Sequence, residues 1–177
     1  MAIIKHDDIH RNRKKDIMMK SILFVCTANI CRSPAAEGIL KTLSGRLEKE
    51  NDFFIDSAGI SNCREGELPF ELMKECALER GYELNHISRP VKAEDIKHFD
   101  YIIGMDTSHV YLLNRWVEVE PEIENKKIYL MSDFLSKYDY EGIPDPYNKD
   151  KAACELVLDL LEDACSVLLK KIISNEI

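Results

Sequence analysis

The chain has 177 residues, of which 45% are hydrophobic and 32% are charged, a composition typical of one soluble domain with a sizeable core. Its net charge of −8 at pH 7 argues against non-specific nucleic-acid binding by the folded body. No apolar run reaches the roughly 18 residues of a membrane span, so membrane insertion is not expected.

The first 19 residues read as a basic leader, which we expect to be disordered or non-native, ahead of a domain over residues 20–177. This leader has no apolar segment of a secretory signal, so a cytoplasmic location is expected. Six cysteines in such a chain predict free thiols rather than a disulfide framework. Three of them are expected in the core: Cys76, Cys154 and Cys165.

Strand-like and helix-like segments alternate along the chain. Short apolar runs predict strands at 21–25, 53–55, 99–105 and 127–130. Helical spacing predicts helices from residue 33 onward and over 70–80, 107–115 and 149–173. Ser33 is expected to cap the first helix, with Pro34 in its first turn, and Gly81 to close the second. The alternation predicts a single α/β domain with a mostly parallel sheet and a ligand beyond the carboxyl ends of its strands.

The loop between the first strand and the first helix carries the strongest chemical signal. It reads Cys-Thr-Ala-Asn-Ile-Cys-Arg-Ser over residues 26–33. Its backbone N–H groups can surround a tetrahedral anion, and the following helix adds its positive end. Arg32 can give two parallel hydrogen bonds to phosphate, while the same field favours the thiolate of Cys26, to which Ser33 can donate. The loop lacks the glycines and the Gly-Lys-Ser/Thr ending of a nucleotide P-loop.

A thiolate that attacks a phosphate ester needs a proton donor for the leaving group. Asp145 is the best candidate, because Pro144 and Pro146 stiffen its loop and can hold the carboxyl group at a fixed angle.

These segments together resemble the low-molecular-weight protein tyrosine phosphatases over about residues 21–173. The resemblance rests on the phosphate loop, Asp-Ser-Ala-Gly at 56–59, Asn-His-Ile-Ser-Arg-Pro at 85–90, the segment 99–106 and Pro-Asp-Pro-Tyr at 144–147. It implies a single domain with a four-stranded parallel sheet flanked by helices on both faces, the phosphotyrosine protein phosphatase I-like fold.

The resemblance also implies roles for individual residues. Cys26 is implied as the nucleophile, Arg32 as the transition-state clamp and Asp145 as the acid and then the base. Phosphate and substrate contacts are implied at Thr27, Ala28, Asn29, Ile30, Cys31, Ser33 and Tyr147. His86, hydrogen-bonded to Asn29, and Asp106 are implied as supporting residues. No metal or cofactor is implied, and the partners are phosphotyrosine proteins or peptides, with inorganic phosphate as product.

Two positions depart from the family pattern. Cys63 stands where many members carry an aromatic residue on the pocket wall, and Asn148 replaces a frequent second tyrosine. A separate expectation concerns redox sensitivity, since Cys31 should form a reversible disulfide with Cys26 under peroxide.

Three other functions fit the same fold. A thioredoxin-coupled arsenate reductase needs closely spaced further cysteines in a mobile segment, whereas Cys63 and Cys76 are far apart in the sequence. A protein-arginine phosphatase carries threonine where this chain has Ile30, whose bulk suits a phenyl ring. A phosphoprotein-binding module without turnover has no need to keep Cys26, Arg32 and Asp145 together.

Overall fold

The computed structural model describes residues 19–119 and 127–177, where it forms one α/β domain. Its sheet contains the parallel strands β1 (Lys20–Cys26), β2 (Phe53–Gly59), β3 (Tyr101–Gly104) and β4 (Lys127–Leu130), in the order β2-β1-β3-β4. The helices are α1 (Arg32–Arg46), α2 (Glu71–Glu79), α3 (Ala93–His98), α4 (Thr107–Val119) and α5 (Lys151–Ile173), with short 3-10 turns at Glu50–Asp52 and Met131–Phe134. Apart from Met19, the predicted leader lies outside the described residues.

The central strand β1 shows why helices cover both faces of the sheet. Successive side chains of a strand point to opposite faces, and here both faces are apolar. Ile22 and Phe24 pack into a core shared with α1, α2 and α5, whereas Leu23 and Val25 pack into a smaller core shared with α3 and α4. All four side chains are fully buried, and the predicted parallel sheet with helices on both faces is confirmed.

Two elements differ from the sequence prediction. The second strand continues beyond the predicted range 53–55 through Asp56–Gly59, because each of these residues pairs with β1 as far as Cys26↔Gly59. Helix α3 was not predicted, since Lys92 is a poor N-cap residue. Its start is held instead by the Asp95 carboxylate, which accepts the backbone N–H of Lys92 at 2.7 Å.

The other helices begin and end close to the predicted residues. Gly81 follows α2 with φ of 83°, the left-handed conformation expected after a helix end. The buried apolar residues of α5 lie in the larger core, and the Asp150 carboxylate caps this helix by accepting the backbone N–H of Ala153 at 3.0 Å. The three cysteines expected in the core, Cys76, Cys154 and Cys165, are fully buried. Among the described helices, none has the length and apolar character needed to cross a bilayer.

Helix α1 follows the predicted phosphate loop and packs closely against the segment before His86. A Cβ atom at Gly38 would lie 3.0 Å from the backbone oxygen of Glu83 and 2.8 Å from a methyl carbon of Leu84. At Gly45, near the other end of the same helix, nothing lies within 4 Å of such an atom. Substituting alanine at each glycine therefore separates the free-energy cost of steric crowding from the effect of helix propensity.

Gly38→Ala should lower the free energy of unfolding by about 1–3 kcal/mol, because the backbone of Glu83 cannot move aside cheaply. Gly45→Ala is the matched control and should leave stability unchanged or raise it by up to about 1 kcal/mol. Urea unfolding of both variants measures the difference. Equal stabilities would show that α1 does not press on the 83–84 segment.

Candidate active site

The predicted phosphate loop lies at the carboxyl end of β1, the strand between β2 and β3. Residues 27–31 connect Cys26 at the end of this strand to Arg32 at the start of α1. The chain connects β1 to β2 on one side and then crosses to β3 on the other, and ligands of open α/β sheets bind at such a point. Asn29 adopts a left-handed backbone conformation with φ of 57°, which lets the loop turn without glycine. Its N–H points at Cys26 Sγ from 3.3 Å.

The Arg32 guanidinium is nearly buried and has partners on both terminal nitrogens. Nη1 donates to Asp106 Oδ2 and to the backbone oxygen of Ile143, each at 3.0 Å. Nη2 donates to Thr27 Oγ1 and Asp145 Oδ2, each at 3.1 Å. Arg32 therefore joins the phosphate loop, the end of β3 and the loop of Asp145. Nη1 faces fixed structural groups, whereas the Nη2 partners line the pocket.

The thiol of Cys26 lies on the buried floor of this loop. Ser33 Oγ is 3.0 Å from Cys26 Sγ and accepts a hydrogen bond from Asn29 Nδ2, also at 3.0 Å. Because the amide occupies a lone pair of this oxygen, the hydroxyl proton is free to be donated to the sulfur or to Ala58 O at 3.3 Å. A thiolate is the stronger acceptor of the two, so the geometry fits Ser33 donating to Cys26.

A chain of buried hydrogen bonds continues behind the loop. Asn29 Nδ2 also donates to Ser57 Oγ at 2.9 Å, and Ser57 Oγ donates to Glu37 Oε2 at 2.6 Å. His86 Nδ1 lies 3.0 Å from the same Glu37 oxygen. Burial alone raises the pKa of Glu37, but the hydrogen bonds from His86, Lys41 and Ser57 outweigh it and hold that pKa below its ordinary value.

A cavity of about 230 Å³ opens above the loop. Its lining residues are Cys26, Thr27, Ala28, Ile30, Cys31, Arg32, Cys63, Arg64, Asp145 and Tyr147. The Tyr147 ring forms one wall and contacts Phe70 edge to face, with ring centroids 5.4 Å apart. Arg64 lies over that ring at 5.3 Å and donates to the Tyr147 hydroxyl. The pocket thus has an acidic group, an aromatic face and a basic rim around a buried thiol.

One cluster outside this pocket has metal-ligand chemistry. Ligand atoms of Glu37, Asp56 and His86 lie within 4.8 Å of one another. Both carboxylates already have cationic partners, since Lys41 pairs with Glu37 and Arg89 pairs with Asp56 at 2.8 Å. Protein cations therefore compensate the charge that a metal ion would need, and the cluster fits a structural role.

Comparison with known proteins agrees with this geometry. The family profile described as low molecular weight phosphotyrosine protein phosphatase matches residues 21–176. The chicken protein of that name is 35% identical over 156 residues, which cover 86% of this chain and 96% of the relative. The chain belongs to the low molecular weight phosphotyrosine protein phosphatase family.

Solved structures of the family share the fold. A protein tyrosine phosphatase from Entamoeba histolytica, with Hepes in its active site, superimposes with a TM-score of 0.84 and is 36% identical, covering 89% of this chain and 99% of its own. A Drosophila arginine phosphatase superimposes with a TM-score of 0.81 at 30% identity, covering 85% and 96%. The fold is thus common to enzymes named for two different phosphoamino acids.

The structure brings most of the predicted site residues together. Eleven of the twelve lie in the loop 26–33, in the pocket wall or on the Arg32 guanidinium, and His86 is the exception. Cys63 lines the cavity, as its place in the family pattern predicts, and Arg64 next to it contacts Tyr147. Asn148 has φ of 56°, a left-handed conformation that asparagine tolerates better than most residues.

Two predicted contacts are wrong. His86 does not bond to Asn29: its Nδ1 faces Glu37 and, at 3.5 Å, Asp56, while Nε2 is buried without a hydrogen-bond partner in the described part of the chain. Ser57 and Glu37 stand between the two residues. Ser33 does not cap α1, which already begins at Arg32; its hydroxyl is used at Cys26 and Ala58 instead.

Sequence reasoning also missed four residues around the site. Ser57 and Glu37 connect the loop to His86, Arg64 covers the Tyr147 ring, and His109 contacts Thr27 Oγ1 at 3.0 Å. Only His109 had a usable signal, because it stands three residues after Asp106 in the first turn of a predicted helix.

Glu37→Gln should destabilise the protein at neutral pH, because it removes a buried carboxylate that His86, Lys41 and Ser57 stabilise. A depressed carboxyl pKa stabilises the fold above the unfolded value of 4.5 and loses that effect as pH falls through the folded value. The deficit should be about 1–3 kcal/mol near pH 7 and should shrink as the pH falls below 4.5.

The measurement is urea unfolding across that pH range. Glu118→Gln is the matched control, since Glu118 pairs with Arg115 on the exposed surface of α4 and should contribute little. A deficit for Glu37→Gln that stays constant with pH would show that its charge is not what matters.

Proposed function

We propose that the chain hydrolyses phosphotyrosine in proteins or peptides through a phosphocysteine intermediate on Cys26. The observation that carries this proposal is the placement of Cys26 Sγ, the Arg32 guanidinium and the Asp145 carboxyl group around one cavity. A nucleophile, an anion clamp and a proton donor are the three groups that the reaction needs.

In the first step, the substrate phosphate lies on the N–H groups of residues 27–32, within reach of Arg32. Cys26 Sγ attacks phosphorus, and the bond to the tyrosine oxygen breaks. The protonated Asp145 carboxyl group gives its proton to that oxygen, so tyrosine leaves neutral. Arg32 Nη2, which bonds Asp145 in the free protein, then bonds a phosphate oxygen.

In the second step, Asp145 acts as the base. It takes a proton from water while the water oxygen attacks phosphorus, the S–P bond breaks, and inorganic phosphate leaves. Cys26 returns as a thiolate, which the Ser33 hydroxyl at 3.0 Å can stabilise. The Asp145 loop is held for both steps, because Asp145 Oδ1 accepts the backbone N–H of Tyr147 at 3.2 Å.

The depth of the pocket and the residues of its walls decide which phosphoamino acid the protein accepts. Cys26 is only 3% exposed, so a phosphate must reach the bottom of the pocket. A phenyl ring holds its phosphate farther from the peptide backbone than serine does, and Ile30 and Tyr147 offer it apolar contacts. Cys63 does not provide an aromatic ring on a second wall of the pocket. The Arg64 guanidinium lies over the Tyr147 ring and occupies part of the pocket on the side of that ring.

The competing activities on this fold have less support. An arsenate reductase relay needs accessible partner cysteines, and Cys76 is fully buried in the core. The likeness to an arginine phosphatase keeps phosphoarginine as a substrate to be tested, although Ile30 favours a flat ring. A binding module without turnover does not account for Asp145 beside Arg32.

The site suggests a setting for the enzyme. All six cysteines are free thiols, Cys26 among them, which suits a reducing compartment, and we place the activity in the cytoplasm. Because the chain is acidic, we do not expect nucleic acid among its partners. The functional unit is proposed as residues 20–177, with no metal or cofactor.

Redox control is a further part of this proposal. Peroxide oxidises the Cys26 thiolate to a sulfenic acid, and the Cys31 thiol then attacks that sulfur, so that a disulfide forms and water leaves. Burial raises the pKa of Cys31, and Cys26 and Asp145 raise it further, so Cys31 stays a thiol and peroxide reacts first at Cys26.

Three peptides of one sequence, carrying phosphotyrosine, phosphoserine or phosphoarginine, test the proposed function. Phosphate release should be fastest by far from phosphotyrosine. Cys26→Ser should abolish release and still bind inorganic phosphate, whereas Cys63→Ser should keep turnover as a cysteine control. Preference for another phosphoamino acid, or turnover by Cys26→Ser, would contradict the proposal.

Inactivation by peroxide followed by dithiothreitol tests the redox proposal. The native protein should recover most of its activity, while Cys31→Ser should recover much less because its Cys26 is over-oxidised irreversibly. The same recovery in both proteins would remove Cys31 from the scheme.

A further inference from the structure

His109 is a buried histidine that the proposed reaction does not use. It lies in the first turn of α4, is 2% exposed, and has a partner on each ring nitrogen. The backbone N–H of Asp106 points at Nδ1 from 3.2 Å, and Nε2 lies 3.0 Å from Thr27 Oγ1. An N–H group can only donate, so Nδ1 must be an acceptor and the ring proton must be on Nε2.

The charge state of His109 depends on two opposing neighbours. Asp106 Oδ1 lies 3.2 Å from Nδ1 and would attract a protonated ring, but this oxygen already accepts hydrogen bonds from Ser108 and from the His109 backbone. Burial, with a smaller contribution from Arg32, lowers the pKa of His109 to about 4 against the opposing pull of Asp106 and Asp145. The imidazole is therefore neutral at neutral pH, and its Nε2–H donates to Thr27.

The Thr27 hydroxyl then has no free lone pair. Its oxygen accepts one hydrogen bond from His109 Nε2 at 3.0 Å and another from Arg32 Nη2 at 3.1 Å. A hydroxyl group has two acceptor positions and one proton, so the proton is the group left to be donated. Thr27 is exposed and lines the pocket, which is the open side of its side chain.

We infer that His109 is a positioning residue that aims the Thr27 hydroxyl proton at a phosphate oxygen of the substrate. Thr27 thereby adds a side-chain donor to the backbone N–H groups and Arg32. The inference rests on the proposed function, because it assigns the donor to the phosphate of that same site. It makes Thr27 and His109 one unit, since the ring acts on substrate only through the hydroxyl.

The test measures inorganic phosphate binding together with kcat and KM on an aryl phosphate. Thr27→Val keeps the side-chain shape without the hydroxyl and should weaken phosphate binding and kcat/KM about tenfold, as expected for one hydrogen bond to a charged group. His109→Leu should cause a similar loss, and His109→Gln, which can still donate, should recover much of it. Thr42→Val, whose hydroxyl donates to Gly38 O within α1, is the matched control and should bind and turn over as the native protein does.

The double variant Thr27→Val/His109→Leu separates positioning from a general loss of structure. If His109 acts through the hydroxyl, the double variant should be no worse than Thr27→Val alone. Losses that multiply, or native phosphate binding by Thr27→Val, would overturn the inference.

Nitrogen NMR of the native protein gives a second test, which does not depend on whether the His109 variants fold. It should show the His109 proton on Nε2, and a proton on Nδ1 would overturn the inference. Absence of phosphotyrosine turnover in native protein that still shows the Thr27 effect on phosphate binding would count against the proposed function instead.

Discussion

The buried side chain of Asn29 connects the phosphate loop to α1, to β2 and to the backbone of Arg89. Its Nδ2 group donates to Ser33 on α1 and to Ser57 on β2, and its Oδ1 accepts the backbone N–H of Arg89 at 2.9 Å. Its own backbone has φ of 57°, so the residue turns the loop and anchors it at once. A buried N–H left unsatisfied costs about 1–3 kcal/mol, and removing this one amide would take the acceptor from the Arg89 N–H and one hydrogen bond each from Ser33 and Ser57. The position of the Cys26 sulfur follows from this anchor, because the Asn29 N–H and Ser33 both contact it.

The second constraint is electrostatic. The chain is acidic overall, yet its pocket must hold an anion. The structure resolves this locally: Arg32 is buried with Asp106 fixed on Nη1, and its Nη2 side faces the pocket. Low dielectric strengthens these interactions, and the positive end of α1 adds to them. In the proposed reaction, Nη1 of this guanidinium holds the fold and Nη2 binds the substrate phosphate.

Much of this arrangement could be predicted from the sequence, because its signals are local. A cysteine loop between a strand and a helix, and an aspartate between two prolines, each specify a site without knowledge of the tertiary fold. The pairing of β2 as far as Gly59 could not be predicted, since it depends on the neighbouring strand β1 rather than on strand propensity. Helix α3 escaped prediction for a different reason, because its cap is a side chain three residues inside the helix.

The errors at the site have a similar cause. His86 was assigned to Asn29 from a family likeness, but the distance between them is filled by Ser57 and by Glu37, residues from two other elements. His109 is the opposite case, because it belongs to no motif that the sequence analysis used and yet contacts the pocket residue Thr27. The spacing of residues in the sequence does not reveal hydrogen-bond networks whose side chains come from three different elements.

The central claim is that Cys26 carries the phosphoryl group during turnover. Asp145→Ala, mixed with an aryl phosphate whose phenol is acidic enough to leave unprotonated, should form the intermediate and hydrolyse it slowly, because the base of the second step is missing. Mass spectrometry of the quenched and digested protein should then find one phosphoryl group on the peptide that contains Cys26. A phosphoryl group on any other residue, or none while phenol is still released in the first turnover, would contradict the account.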